Sequence, residues 1–309
     1  MLDIFKVTLS QSILLFFFIA IGYWFKKIGK LPEQFNKGLS NLLVNIFLPF
    51  LTFSSMAKNF KLDVLGEKIN IIIIASAFLV MCFVVAFIFA RVFAKERNTQ
   101  DVYMYSFMFA NSGYIGNPLI LACFGELMLF DFIIFTIPFF FVTYTYGIYI
   151  LNPNRKFNLK SMCNPIMIAL VLGMIVGALN IEIPTVVQSI VDTGANCMAP
   201  AAMILTGVVF ASNDLKAIVS NKKVYLAVGI KLILIPIAAI LLIASMNVPY
   251  SIAIILITMV TLPTGLNSIV FPEAYGGDSR TGAQLCFVST LTSLIIMPIM
   301  FSFYSFLTI

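Results

Sequence analysis

A chain of 309 residues that is 61% apolar and only 10% charged, with a mean hydropathy of +1.04, has too little polar surface to cover a soluble globule of its size, so it reads as an integral membrane protein. With no histidine in the sequence, imidazole metal ligands, Ser-His nucleophile pairs and histidine proton relays are excluded. The net charge of +6 is modest, no basic run or low-complexity segment points to nucleic acid, and the five cysteines lie scattered in apolar stretches, read as small core residues rather than a disulfide or zinc framework.

Taken in chain order, stretches able to cross a bilayer are predicted at about 6–26, 36–57, 69–90, 101–124, 127–150, 165–182, 184–211, 224–246, 250–275 and 281–307, ten in all. The first has no small-residue cleavage site before Lys26 and Lys27, so it is a span and not a signal peptide. Loops on one side carry 14 of the 19 basic residues, from Lys26, Lys27, Lys30 and Lys37 through Arg91, Arg97, Arg155 and Lys223 to Arg280. That side is expected to be cytoplasmic, with both termini outside. Residues 151–164 form a short basic cytoplasmic linker between a first unit, 1–150, and a second, 165–309.

Gly22, Asn45, Pro49 and Gly125 recur as Gly173, Asn196, Pro200 and Gly276, each 151 positions later. Five spans per unit is an odd number, so the second unit must enter from the opposite face. The expected fold is therefore an all-α membrane protein of two inverted five-helix repeats that interlock as one body.

The second and seventh spans contain NIFLP, Asn45 to Pro49, and NCMAP, Asn196 to Pro200; in each, the proline strands the carbonyl of the asparagine four residues earlier and leaves a polar notch. The fourth span holds FANSGYIGNPLI, where Gly113, Gly116, Asn117 and Pro118 are incompatible with a regular helix and Pro118 leaves the Tyr114 carbonyl without its donor. The ninth holds TLPTGLNSIVFPEAYGG, where Pro263 strands the Met259 carbonyl. At the 151 offset Gly116 falls on Asn267 and Phe124 on Tyr275, so the two breaks occupy equivalent places. Two broken helices should cross near the middle of the bundle, and their half-helix N-termini would present positive poles to an anion, with Asn111, Asn117, Asn267 and Ser268 adding neutral hydrogen bonds.

Asp192 is the one carboxylate placed well inside the membrane, which makes it the first candidate for coupling to H+ or Na+. Lys231, about two turns into the eighth span, is read as a further coupling candidate: an anion counter-charge, a partner of Asp192, or a side chain snorkelling to the inner headgroups. Glu126, Asp131, Glu182, Glu273 and Asp278 fall at span edges and read as solvated. No cofactor or metal is expected.

The strings FANSGYIGNPLILACFGE, NIFLP and TLPTGLNSIVFPEAYGGD make the chain, along essentially its whole length, resemble the auxin efflux carrier family, the bacterial permeases related to plant PIN proteins. The resemblance implies ten helices in two inverted repeats, with crossing broken fourth and ninth helices as in bile-acid symporters and sodium–proton antiporters, and an elevator-type cycle in a bacterial cytoplasmic membrane. It implies a small organic anion as substrate, a malate- or malonate-type carboxylate or an auxin-like weak acid, and a homodimer. By resemblance Asn111, Gly113, Gly116, Asn117 and Pro118 form one side of the crossing, Pro263 and Asn267 the other, with Asn45, Pro49, Asn196 and Pro200 as flanking notches. A sodium-coupled carrier of the bile-acid type, and a channel or sensor of the same fold, are the alternatives. An intramembrane aspartyl protease is not expected, because in YGGD Tyr275 stands where its motif requires glycine.

Overall fold

The computed structural model describes residues 2–61, 65–155, 163–212, 221–246 and 248–308. Among them there are helices and no strands: α1 (Leu2–Lys27), α2 (Phe35–Leu42), α3 (Leu48–Asn59), α4 (Leu65–Phe93), α5 (Arg97–Met108), α6 (Asn117–Val142), α7 (Ile148–Leu151), α8 (Pro165–Ala178), α9 (Thr185–Asn196), α10 (Met198–Ser212), α11 (Lys222–Gly229), α12 (Ile235–Ser245), α13 (Tyr250–Thr261), α14 (Asn267–Tyr275) and α15 (Ser279–Leu307). Five-residue π-helical turns splice α2 to α3 (Leu43–Phe47), open α6 (Ser112–Gly116), and join α6 to α7 (Thr143–Gly147) and α11 to α12 (Ile230–Leu234).

Among the described residues, seven helical stretches are long and apolar enough to cross a membrane: Phe5–Lys27, Phe35–Asn59, Lys68–Phe93, Ser112–Leu151, Thr185–Ser212, Lys222–Ser245 and Ser279–Leu307. Pro165–Ala178 and Tyr250–Thr261 are apolar but shorter. The 40-residue stretch Ser112–Leu151 is about twice the length a bilayer needs, and it is broken at Gly125, whose φ of 83° no helix accommodates. The predicted linker 151–164 is described only at its ends; 156–162, with Lys156 and Lys160, lies outside the described residues, as does Lys216.

The bundle is apolar on the outside. Phe17, Val80 and Leu242 are 60%, 64% and 55% exposed, which suits lipid and not water. Inside, Thr258, Thr261 and Ser289 are fully buried; the threonine hydroxyls return hydrogen bonds to the carbonyls of Ile254 and Ile257 at 2.7 Å, so burying them strands no donor. Cys163 and Cys197 are exposed and only Cys286 is fully buried, so the reading of the cysteines as core residues holds for a part of them. Asp131 is not solvated but paired with Lys68 at 2.5 Å.

Small residues set the helix contacts, as expected where lipid gives apolar side chains no reason to leave it. A Cβ at Gly22 would lie 2.1 Å from the carbonyl oxygen of Ile204, and one at Gly173 would lie 2.9 Å from that of Phe53. Gly22 and Gly173 are 151 residues apart, and so are Phe53 and Ile204: α1 packs on α10 as α8 packs on α3. Gly125 and Gly276, again 151 apart, both adopt positive φ, 83° and 81°. Gly22→Val and Gly173→Val should each destabilise the detergent-solubilised protein by about 1–3 kcal/mol, since the Ile204 backbone opposes the first, and the Met56 Cβ, 2.7 Å away and fixed to its own backbone, together with the Phe53 carbonyl opposes the second. Thermal unfolding of the two variants tests this; an unchanged melting temperature would contradict the packing.

Candidate functional site

The two interruptions meet. α5 ends at Met108, with the Phe109 N–H donating to the Tyr105 carbonyl at 2.9 Å, and Phe109 is extended. Ala110 then forms an antiparallel bridge with Thr264, and the Asn111 N–H donates to the Pro263 carbonyl at 2.8 Å. Backbone groups bared by each break are thus satisfied by the other, where no water could do it without cost. Thr264 is held further by its N–H to the Ser289 hydroxyl at 3.0 Å.

The break in the fourth segment lies at 109–111, upstream of where Pro118 was expected to force it. Asn111 restarts the helix: its Oδ1 accepts from the Tyr114 N–H at 3.3 Å, and its carbonyl accepts from both Ile115 (3.2 Å) and Gly116 (3.0 Å). This wide turn lets Pro118 sit at the second position of α6, where a missing N–H is harmless. Gly116 permits a close approach, because a Cβ there would lie 2.9 Å from the side-chain ends of both Leu262 and Phe132. It lets α6 press against the second interruption.

At the crossing lies a cavity of about 50 Å³ lined by Asn111, Gly113 and Asn267 from the predicted set, together with Tyr105, Thr143 and Tyr144. The Tyr105 phenol is within hydrogen-bonding contact of the Asn267 and Thr143 side chains. Asn111 and Asn117 are each only 2% exposed, and Asn111 Nδ2 and Asn117 Oδ1 have no hydrogen-bond partner among the described residues. Ser268 is fully buried, but it donates to the Gly265 carbonyl at 2.8 Å and sits against that of Gly282, away from the cavity. Pro118 and Pro263 are buried structural members of the crossing. The tyrosine and threonine lining was missed by sequence reading; the available signal for Thr143 and Tyr144 was the polar run TYTYG, 143–147, in a span rich in Phe and Ile.

The notch asparagines are elsewhere. Asn45 is exposed and donates to the Asn41 carbonyl at 2.8 Å, with Pro49 buried one turn on. Asn196 is exposed, ahead of the half-buried Pro200, and lines a separate cavity of about 180 Å³ with Ser54, Ser55, Lys58, Glu126 and Asp192. There Asp192 is paired with Lys58 at 3.0 Å and accepts from Ser54 at 2.6 Å and Gln188 at 2.9 Å. Its partner is Lys58, not Lys231.

Lys231 neither snorkels nor meets a carboxylate among the described residues. It is 8% exposed, and its ammonium donates to the Ser106 carbonyl and to Thr264 Oγ1 at 3.2 Å, which places it directly behind the crossing. On the side of the basic loops a larger space, about 410 Å³, is lined by Asn36, Lys37, Ser40 and Ser212 and ends at Tyr114 and Leu266. Those two residues also line the crossing cavity, and Ser40 contacts the Tyr114 phenol, so they form the partition between the two spaces.

A family profile described as membrane transport protein matches the chain in two segments, residues 7–156 and 149–301. An uncharacterized transporter of Methanocaldococcus jannaschii is 22% identical over 303 residues, covering 95% of this chain and 97% of that protein.

Proposed function

This chain belongs to the auxin efflux carrier family of membrane transport proteins, and from that premise we propose that it is a secondary active carrier of a small organic anion, a malate- or malonate-type carboxylate or an auxin-like weak acid. The observation that carries the proposal is the pairing of two interrupted helices through Ala110–Thr264 and Asn111–Pro263, around a cavity with a buried amide donor at Asn111 that has no partner among the described residues. Half-helix N-termini beginning at Ser112 and Asn267 bring positive poles to that cavity, the standard recourse for holding an anion inside a membrane.

In this reading the protein has ten membrane-crossing segments as two inverted repeats, 1–150 and 165–309, joined by a cytoplasmic linker, with both termini outside. The matched glycine contacts and matched positive-φ corners at the 151 offset support the repeat. The protein works in the cytoplasmic membrane as a homodimer, and substrate reaches the crossing from the cytoplasm through the Lys37-lined vestibule past Tyr114. A cavity of about 50 Å³ has room for little more than a water or two, so the substrate site has to widen, which is the step an elevator-type cycle supplies.

Proteoliposomes carrying the purified protein and a panel of radiolabelled carboxylates, under imposed H+ or Na+ gradients, test the reading; absence of saturable uptake for every member overturns it. Asp192 is the coupling residue we propose, and its cycle has to release Lys58. Asp192→Asn should therefore leave substrate counterflow within about threefold of wild type while removing the stimulation by the coupling gradient. Equal gradient stimulation in both proteins would exclude Asp192.

A further inference from the structure

Every side chain lining the crossing cavity is neutral. An anion moved from water into an apolar bundle loses its solvation, and dipoles alone seldom replace a full opposite charge. One such charge lies a single backbone strand behind the cavity wall. Lys231 stands on the π turn Ile230–Leu234, and its ammonium is held by the Ser106 carbonyl and Thr264 Oγ1. Ala110, which bridges Thr264, lines both the crossing cavity and the small apolar cavity of about 40 Å³ that contains Lys231.

We infer that Lys231 is the positive charge by which this carrier selects anions, a positioning residue whose field acts across the Ala110–Thr264 strand pair; the inference rests on the carrier reading above. Its geometry serves that end in two ways. Ser106 lies in the last turn of α5, whose carbonyl pole would repel an anion; the ammonium caps that pole and leaves the positive poles at Ser112 and Asn267 unopposed. The ion pairs among the described residues engage Lys58, Lys68 and Arg155 and not Lys231. A buried ammonium held only by neutral oxygens is costly, and an anion in the adjoining cavity relieves part of that cost. Filling the site and neutralising Lys231 are one event, so a neutral ligand of the same shape gains nothing from it.

The test compares a carboxylate with its uncharged primary amide. The probe is whichever member of a panel of mono- and dicarboxylates of two to six carbons, plus indole-3-acetate, shows the strongest saturable uptake by wild-type proteoliposomes; affinities for acid and amide are then read by competition. Lys231→Met, of similar length and no charge, should weaken binding of the acid about tenfold or more while changing the amide less than about twofold, narrowing the preference. Equal weakening of both ligands would show that Lys231 merely braces the crossing, and unchanged binding of the acid would show that its charge is not sensed; either overturns the inference. If Lys231→Met does not fold, Lys231→Ala is assayed with and without ethylammonium in the buffer: recovery of acid preference supports the inference, and failure to recover it in a folded variant overturns it. Absence of saturable uptake by the wild-type protein for every panel member would instead remove the carrier reading, before any variant is compared.

Discussion

Asn111→Ala is expected to weaken apparent substrate affinity about tenfold to a hundredfold, with a melting temperature only slightly lowered. Two jobs of one side chain account for the split. Its Oδ1 caps the restarted helix at the Tyr114 N–H, and loss of such a cap costs about 1 kcal/mol. Its Nδ2 is buried with no partner among the described residues, a donor whose desolvation is recovered only when a ligand accepts from it. A hydrogen bond to a charged acceptor is worth about 1.5–3 kcal/mol, which sets the predicted loss of affinity. Asn267→Ala, on the opposite half-helix and in contact with Tyr105, should act in the same direction by a smaller factor. The measurement is concentration-dependent uptake in proteoliposomes; wild-type affinity in both variants would move the substrate site away from the crossing.

Gly116→Val should abolish uptake while leaving the protein inserted in the membrane. A Cβ alone would lie 2.9 Å from the side-chain ends of Leu262 and Phe132, both fully buried, and valine adds two more carbons, so both packed side chains have to shift. Overpacking of this kind costs about 1–3 kcal/mol, and the shift it forces falls on Leu262, next to the Pro263 carbonyl that holds Asn111. Gly113→Ala is the control: its Cβ would meet Leu48 at 3.6 Å, an ordinary contact, so its thermal stability should match wild type. Normal uptake by Gly116→Val would show that the close approach of the two interruptions is not needed for transport.

How much of this was legible in the sequence depended on whether the signal was local. Proline, glycine and asparagine clusters announce both interruptions because they act on the backbone in their own turn, and the 151-residue offset that links Gly125 to Gly276 in the sequence is matched by their φ values of 83° and 81°. The position of the first interruption was displaced, because a π turn absorbed Pro118 and put the break at 109–111; composition does not distinguish a wide turn from a broken one. Lys231 and Asp192 each stood out as charges within apolar spans, though only Lys231 is buried and the Asp192 side chain is 36% exposed; their partners, Thr264 33 residues away and Lys58 on another helix, follow from which helices adjoin, and helical periodicity carries no such information. Asn45 and Asn196 illustrate the same gap: a proline notch states that a carbonyl is freed and not which way the amide beside it faces.

The bridge between Ala110 and Thr264 restricts what can move. Prising the two interruptions apart would leave bare amide groups in oil, so under the proposed cycle this pair cannot serve as a jaw that opens and shuts. Both interrupted segments have to travel as a single slab, and the sliding joint is left to surfaces stitched by side chains alone, such as Tyr114 against Ser40 and Glu126 against Lys58. A cross-link planted at either of those joints would jam the slab, whereas one planted within the bridge would leave it free to run.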